Sequence, residues 1–249
     1  MLQINGLHAG YGKLEILHGI DLTVSADTFT TILGPNGSGK STLLKSIFGL
    51  CQIFSGAITI NAATISGLPT ELIGRHGIAY VPQRLNIFTA LTVQENLAIA
   101  LRNVPTGDRK SRRDAAYARF PVLAKRLQQR AGQLSGGERQ MLAVAIGWLA
   151  GPQLMLLDEP TAGLSPLLTQ ELFKTLTALH QDGMALLVVE QNARTALTWS
   201  RATVILREGQ IAYAGDSESL RTDDARLTEY LGAGLSSSAV TRSESDRSG

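Results

Sequence analysis

Hydrophobic residues along this chain fall into short runs that alternate with longer stretches of helical periodicity. Aliphatic and β-branched residues dominate the short runs, which predicts strands. The predicted strands cover residues 15–24, 29–33, 57–60, 78–81, 154–157, 185–189 and 203–206. Strands that alternate with helices indicate an α/β fold, with a mostly parallel sheet and helices on both faces. The strands before residue 34 predict, in addition, an N-terminal antiparallel β layer.

The segment between residues 84 and 150 lacks this strand pattern. It predicts helices over residues 93–101, 111–127 and 136–150. We therefore expect a helical subdomain at about 84–150, inserted into the α/β core of a domain that spans residues 1–233. The remaining residues, 234–249, are rich in serine and lack apolar periodicity, which predicts a disordered tail.

Composition bounds the function only loosely. With 249 residues, 44% hydrophobic and 5% aromatic, the chain can bury one substantial core. A formal net charge of +2 gives no general reason to expect a nucleic-acid partner. Residues 109–130 are an exception, because eight Lys or Arg against one Asp give a local charge of 8 − 1 = +7. A solvated helix face, contact with membrane headgroups or a partner, and nucleic-acid binding all remain open for this basic stretch.

Several features point to a protein of the cytoplasm. Cys51 is the only cysteine, so no intrachain disulfide can form. The first residues lack the charged and apolar regions of a signal peptide. The longest apolar run, residues 141–150, is shorter than the ~20 residues that a membrane-spanning helix needs. The histidines show no metal-ligand spacing; they are His8, His18, His76 and His180.

The most specific motif is G-x-x-x-x-G-K-S, the sequence of a loop whose backbone N–H groups wrap nucleotide phosphates. A predicted strand enters this P-loop and a predicted helix, residues 41–48, leaves it, as the motif requires. Its residues are Gly34, Pro35, Asn36, Gly37, Ser38, Gly39, Lys40, Ser41 and Thr42. We expect Lys40 to reach the terminal phosphates, the Ser41 hydroxyl to ligate Mg²⁺, and Gly37 and Gly39 to allow close backbone approach.

A second motif follows downstream, where the apolar strand 154–157 ends in Asp158 and Glu159. An Asp at this place suits a residue near Mg²⁺, and the adjacent Glu suits a residue that polarises the attacking water. Guanine-specific sites use an Asn-Lys-x-Asp sequence, but none of the six lysines of this chain follows an Asn. The predicted nucleotide is therefore ATP.

A third motif is the segment Ser135, Gly136, Gly137, Glu138 at the start of a predicted helix. Alone it is an ordinary Ser N-cap with glycines. Combined with the other two motifs in this order, it resembles the signature of the ATP-binding-cassette (ABC) ATPases, over about residues 1–233. In that family the signature completes the ATP pocket of the opposite subunit. The resemblance implies a P-loop nucleotide hydrolase in which two chains enclose two ATP molecules with Mg²⁺.

Further positions are carried over from the resemblance one at a time. Tyr11 matches the aromatic residue that stacks on adenine, although it also suits an edge-strand tyrosine packed on the core. Gln83 matches a glutamine that contacts Mg²⁺ and links the site to the helical subdomain. The residues after it match the groove for a permease helix, with apolar candidates that suit internal packing equally well: Leu85, Ile87 and Phe88.

Two positions depart from the general family pattern. Ser165 stands where an Asp is usual, which suggests weaker communication across the dimer interface. Gln191 stands at the switch histidine that contacts the γ-phosphate, and a Gln donates hydrogen bonds but carries no positive charge. Because Glu159 is retained, we expect Glu159 and Gln191 to form a site with slow but real hydrolysis.

Four segments together narrow the resemblance to one subgroup of the family. They are the Glu-Gln-Asn sequence around Gln191 and residues 120–123, 135–138 and 161–166. With these segments, the chain looks like the second ATPase subunit of branched-chain amino-acid importers. The implied protein lies in the cytoplasm at the inner face of the membrane. Its implied partners are a second ATPase subunit, membrane permeases and, indirectly, a solute-binding protein, with no nucleic acid. The alternatives are the ATPase of a urea or short-amide importer, a soluble ABC ATPase that acts on nucleic acid, and a regulatory subunit that does not hydrolyse ATP.

Overall fold

The structure is a computed structural model that describes residues 1–84 and 87–232. In this part of the chain the strands are β1 (Leu2–Tyr11), β2 (Leu14–Val24), β3 (Phe29–Leu33), β4 (Gln52–Ile60), β5 (Ala63–Thr64), β6 (Ile78–Val81), β7 (Leu154–Asp158), β8 (Ala185–Val189), β9 (Ala202–Arg207) and β10 (Gln210–Asp216). The α-helices are α1 (Lys40–Ile47), α2 (Thr70–Arg75), α3 (Val93–Ala100), α4 (Arg109–Arg119), α5 (Pro121–Ala124), α6 (Gly136–Leu149), α7 (Pro166–Gln181), α8 (Ala193–Trp199), α9 (Ser217–Arg221) and α10 (Asp224–Leu231).

The larger sheet has six strands in the order β10-β9-β3-β8-β7-β6. All neighbouring pairs are parallel except β10 with β9. Its central strands β3, β8 and β7 are buried at every position, as expected for parallel strands that are covered on both faces. This confirms the predicted α/β class and the mostly parallel sheet.

The smaller sheet is antiparallel, with the strand order β2-β1-β4-β5. The predicted antiparallel layer is therefore confirmed, but its predicted membership was wrong in two respects: β3 was expected in this layer but belongs to the parallel sheet, and two later strands join the antiparallel layer. Strands β4 and β5 belong to it although they follow the P-loop in the sequence. The reason is pairing: β1 takes β2 on one edge and β4 on the other, so the chain returns to this layer after α1.

Helices α3 to α6 all lie in the sequence between β6 and β7, where the helical insertion was predicted. The prediction of one continuous helix over residues 111–127 was wrong. Helix α4 ends at Arg119, and a separate helix α5 begins at Pro121. Proline lacks the N–H that would continue the helix, and it excludes the preceding residue from helical angles; Phe120 accordingly has φ −120° and ψ 67°.

The hydrophobic core lies on both faces of the parallel sheet. Alternating residues of β7 point to opposite sides: Leu154 and Leu156 pack with α1 and the antiparallel sheet, whereas Met155 and Leu157 pack with α6 and α7. The inserted helices contribute to the second of these clusters, so they share a core with the sheet. Among the described residues, no helix is long and apolar enough to cross a membrane.

Candidate functional site

The predicted site residues other than the signature gather at one edge of the parallel sheet. The P-loop follows β3, Glu159 follows β7, Gln83 lies two residues after β6, and Gln191 lies two residues after β8. Parallel strands end at a common edge, which in α/β proteins is where ligands bind. Four segments distant in sequence are thereby placed side by side.

The P-loop owes its shape to glycines with left-handed backbone angles. Gly37 has φ 81° and Gly39 has φ 100°, a conformation that costs other residues energy. A Cβ on Gly39 would also lie 2.8 Å from a methyl carbon of Leu17 on β2. Gly39 is the N-cap of α1, and no side chain caps this helix. The first N–H groups of α1 therefore remain available to an anion.

Lys40, the first residue of α1, is only 5% exposed, and its Nζ donates hydrogen bonds to Gly34 O at 2.8 Å and Pro35 O at 3.0 Å. Burial lowers the pKa of the Lys40 ammonium, while the carboxylates of Glu159 and Asp158 oppose this effect. The ammonium is thus held inside the curve of the P-loop, at the place where phosphate groups would bind.

Asp158 lies directly beside Ser41. Ser41 Oγ donates to Asp158 Oδ1 at 2.9 Å, and Tyr80 OH donates to Oδ2 at 3.1 Å. Burial, reinforced by Asp158, raises the pKa of the Tyr80 phenol, so the hydroxyl stays protonated and remains a donor. Hydroxyl and carboxylate oxygens are the ligands that Mg²⁺ prefers. The donor set therefore fits Mg²⁺, although no group of three or more His, Cys, Asp or Glu able to hold a metal occurs in the described residues.

Glu159 is held by two amide side chains. Gln83 Nε2 and Gln191 Nε2 each donate to Glu159 Oε2 at 2.7 Å. The Glu159 backbone has φ 47°, an unusual value for a residue with a side chain, and such strain concentrates at functional sites. Gln191, predicted from the resemblance to contact a phosphate, thus bonds to the carboxylate expected to polarise water.

A cavity of about 250 Å³ lies alongside the P-loop. It is lined by Tyr11, Ile16, Asn36, Gly37, Gly39, Lys40, Ser41, Thr42 and Glu159. Tyr11 is 44% exposed, so it is not packed in the core as its alternative interpretation required, and Lys45 Nζ lies 5.9 Å from its ring centroid. Two cavities of about 520 Å³ each lie beside α4 and the end of α7, and their linings contain none of the predicted site residues. Another cavity, of about 430 Å³, is lined in part by Pro35, Asn36, Gly37 and Ser38 of the P-loop.

The signature segment forms a complete capping box at the start of α6. Ser135 Oγ accepts from Glu138 N at 3.3 Å, and Glu138 Oε2 accepts from Ser135 N at 2.9 Å. Arg126 binds the other Glu138 oxygen at 2.7 Å. Ser135, Gly136, Gly137 and Glu138 are missing from the lining of the P-loop cavity in the described chain. The signature and the P-loop are thus separate sites within one chain.

The basic stretch is bound largely to its own chain. Arg109 donates to Val104 O and Arg102 O, and Arg112 donates to Leu149 O. Arg119 pairs with Asp182 and lies 5.5 Å from the Trp148 ring centroid. These contacts anchor α4 and occupy donors of three of its arginines, and the pair with Asp182 also offsets one positive charge.

The apolar residues predicted for a permease groove differ in their surroundings. Ile87 is partly buried and packs against the core, whereas Phe88 is 57% exposed. Leu85 lies outside the described residues, as does the predicted tail 234–249.

Three residues of the site were not predicted from the sequence. Tyr80 fixes Asp158, and Glu190 and Thr161 are bonded to each other beside Glu159. The signal for Glu190 was available, because it is a carboxylate at the end of an apolar strand, like Asp158. Tyr80 and Thr161 show no comparable signal, since their roles depend on contacts across 78 and 29 residues.

Comparisons with known proteins agree with this geometry. Residues 17–162 match the ABC transporter family. The chain is 44% identical over 221 residues to the probable branched-chain amino acid transport ATP-binding protein LivF of Archaeoglobus fulgidus, covering 88% of this chain and 94% of that protein. It is 38% identical to the high-affinity branched-chain amino acid transport ATP-binding protein BraG of Pseudomonas aeruginosa, covering 93% of this chain and 100% of that protein.

Among solved structures, an ATP-binding cassette of an ABC transporter superposes with a TM-score of 0.81 at 25% identity, covering 93% of this chain and 99% of that one. The predicted fold and family are confirmed by these matches. The chain belongs to the ABC transporter family and is an ATPase of the ATP-binding-cassette type.

Proposed function

We propose that this chain is the ATP-hydrolysing subunit of an importer for branched-chain amino acids. The observation that carries the ATPase role is the position of Glu159, fixed by Gln83 and Gln191 at 2.7 Å each, beside Lys40 and Asp158. The names of the two relatives, both branched-chain amino acid transport ATP-binding proteins, support the choice of solute.

In this proposal, different residues of the chain bind different parts of the nucleotide. Tyr11 stacks on adenine at the cavity mouth, and the uncapped start of α1 with Lys40 binds the phosphates. Ser41, Asp158 and Gln83 would hold Mg²⁺ through their side-chain oxygen atoms. When bound, Mg²⁺ neutralises phosphate charge.

Glu159 is the proposed general base. Its carboxylate accepts the proton of the attacking water, while the amides of Gln83 and Gln191 keep it oriented. A glutamine at position 191 donates a hydrogen bond without adding positive charge at the γ-phosphate. We therefore expect hydrolysis to be slow, and to depend on Glu159.

The proposed working state is a dimer with a second ATPase subunit, identical or not. The signature lies apart from the P-loop cavity of its own chain, which supports a dimer in which the second chain brings its signature to that cavity. The α6 N-terminus then adds N–H groups to a site that excludes water, where electrostatic interactions strengthen.

The chain is proposed to act at the inner face of the membrane, where it binds permease subunits. A solute-binding protein is an indirect partner, through these permeases. Exposed Phe88, five residues before the start of α3, supports a permease contact in this region. In this proposal residues 1–233 form the ATPase domain, and the inserted helical subdomain, about 84–150, carries both the permease contact and the signature.

The test is ATP turnover and solute uptake by the complete transporter in proteoliposomes. ATP-driven uptake of leucine, isoleucine or valine that is lost in Glu159→Gln supports the proposal. Uptake of urea or short amides in place of these amino acids contradicts the choice of solute. Uptake and turnover that Glu159→Gln leaves unchanged contradict the catalytic assignment, and assign hydrolysis to the partner ATPase.

A further inference from the structure

A buried carboxylate that the proposed chemistry does not use lies next to Glu159. Glu190 follows β8 and is only 3% exposed. Burying a carboxylate is costly unless hydrogen bonds compensate for the lost water. Its retention in the interior therefore requires specific partners.

Those partners come from two different segments. Thr161 Oγ1 lies 2.9 Å from each Glu190 carboxylate oxygen, and Thr161 N donates to Oε1 at 3.3 Å. Gln191 N donates to Oε2 at 3.3 Å. One carboxylate thus joins the loop after β7 to the loop after β8.

Glu159 lies between these two attachments. Its backbone N–H donates to Val189 O at 3.0 Å, and the Gln191 side chain donates to its carboxylate at 2.7 Å. Ala162 N donates to Glu159 O at 3.1 Å. The loop after β7 is therefore linked to the end of β8 and the loop after it in three places, and Glu190 supplies a link through a buried side chain.

Packing alone does not fix this arrangement. A cavity of about 190 Å³ lies between the two loops and is lined by residues of both, among them Glu159, Thr161, Ala162, Glu190 and Gln191. Because side chains beside a cavity have few packing contacts on that side, hydrogen bonds must hold the loops in register.

We propose that Glu190 is a positioning residue for hydrolysis, which acts through Thr161 and Gln191 to keep the Gln191 amide on the Glu159 carboxylate. The proposal rests on the proposed role of Glu159 as general base. It reaches further along the chain as well, because the loop that contains Thr161 also carries Leu164, whose Cδ2 lies 3.8 Å from the position that a Cβ on Gly136 of the signature would take. Glu190 thereby connects the base to the segment that contacts the signature.

The experiment measures kcat and the Kd for MgATP in the complete transporter, for wild type and for variants at the two bonded positions. Glu190→Ala and Thr161→Val should each lower kcat about tenfold or more. Because Thr161 acts only through Glu190 in this proposal, the double variant should lose about as much as Glu190→Ala alone. The Kd for MgATP should change by less than about twofold, since neither residue lies in the P-loop.

Conservative variants separate positioning from a general loss of structure. Thr161→Ser keeps the hydroxyl and should retain kcat to within about twofold. Glu190→Gln keeps one oxygen acceptor for Thr161 but faces the Gln191 N–H with an amide nitrogen, so its kcat should fall between those of wild type and Glu190→Ala.

Losses in kcat that add across the double variant, or a Glu190→Ala variant with the wild-type kcat, overturn the proposal. So does a Thr161→Ser variant as impaired as Thr161→Val. Failure of the proposed function is distinguishable, because in that case Glu159→Gln leaves the turnover of the same transporter unchanged.

Discussion

Two helix N-termini carry the proposed nucleotide contacts, and they are built in opposite ways. The first turn of α1 has no side-chain cap and no acidic residue, and Gly39 before it is left-handed. The first turn of α6 has a complete capping box, in which Ser135 and Glu138 satisfy each other. The α1 terminus leaves its backbone N–H groups available to a ligand. At the α6 terminus, side chains of the same chain already accept hydrogen bonds from some of the backbone N–H groups.

This difference indicates how the two sites work. The α1 terminus with Lys40 is preorganised for phosphate in a single chain, because its donors have no competing side chain. The α6 terminus is stable by itself, and Ser135 Oγ accepts a hydrogen bond while its proton can still be donated. The signature can therefore bind a second chain's nucleotide without first breaking its own cap.

The largest expected effect concerns the chemistry next to α1. Glu159→Gln preserves size but removes the base, so turnover should fall by ~10²–10⁴ while MgATP still binds. Single-turnover hydrolysis and a binding titration measure the two quantities. Glu171→Gln on the exposed side of α7 is the matched control and should hydrolyse ATP normally. An equal loss in both variants would refute the assignment.

The next effect tests the left-handed backbone that precedes α1. Gly39→Ala adds a Cβ 2.8 Å from Leu17 at a φ of 100°, which should cost about 1–3 kcal/mol of strain and weaken ATP binding. Gly107→Ala is the control, since a Cβ there meets no atom within 4 Å. Calorimetric binding and thermal unfolding measure both consequences. Normal ATP affinity in Gly39→Ala would show that the P-loop does not need this conformation.

A smaller effect is expected at the capped terminus. Ser135→Ala removes the N-cap of α6 and should lower the free energy of unfolding by about 1 kcal/mol. Ser135→Thr keeps a hydroxyl and should lose less than half as much. Denaturant unfolding measures this difference. No loss in Ser135→Ala would mean that the capping box does not stabilise α6.

The smallest effect is a pH dependence confined to α6. Partial burial disfavours the Glu138 anion, but bonds from Ser135 and the charge of Arg126 outweigh it, so the pKa of Glu138 is lowered from 4.5. A pKa that is lower in the folded state stabilises the fold above pH 4.5, and this contribution is lost as the pH falls through the folded pKa. Glu138→Gln should remove that part of the acid sensitivity. The free energy of unfolding of both proteins is measured between about pH 3 and 7. If it depends on pH in Glu138→Gln as it does in the wild type, this cause is contradicted.

The sequence contains enough information to predict the P-loop, because glycine, lysine and serine at this fixed spacing, between a strand and a helix, are specific to phosphate binding. It also predicts the parallel strands β3, β6, β7, β8 and β9, since these are continuous apolar runs, whereas β5 and β10 were not predicted. Strand β1 was not predicted, and the reason is visible at Gly6. Its φ of 51° and the shift in register between Ile4 and Leu7 break the period-two alternation.

The contacts within the site were harder to predict than its residues. Gln83 and Gln191 were predicted from a resemblance, but nothing in the sequence says that both donate to the same oxygen of Glu159. The Glu190–Thr161 pair depends on the adjacency of β7 and β8, which only the sheet order establishes. The break at Pro121, in contrast, could have been predicted from proline chemistry alone.

The most direct test is a calorimetric titration of ATP with Mg²⁺ into the monomeric chain, in wild type, Lys40→Ala and Ser135→Ala. If the phosphate site is complete within one chain, Ser135→Ala should bind with the wild-type Kd to within about twofold, and Lys40→Ala should bind at least about tenfold more weakly. Equal weakening in the two variants would contradict the separation of the two termini, because it would place the signature in the nucleotide site of its own chain.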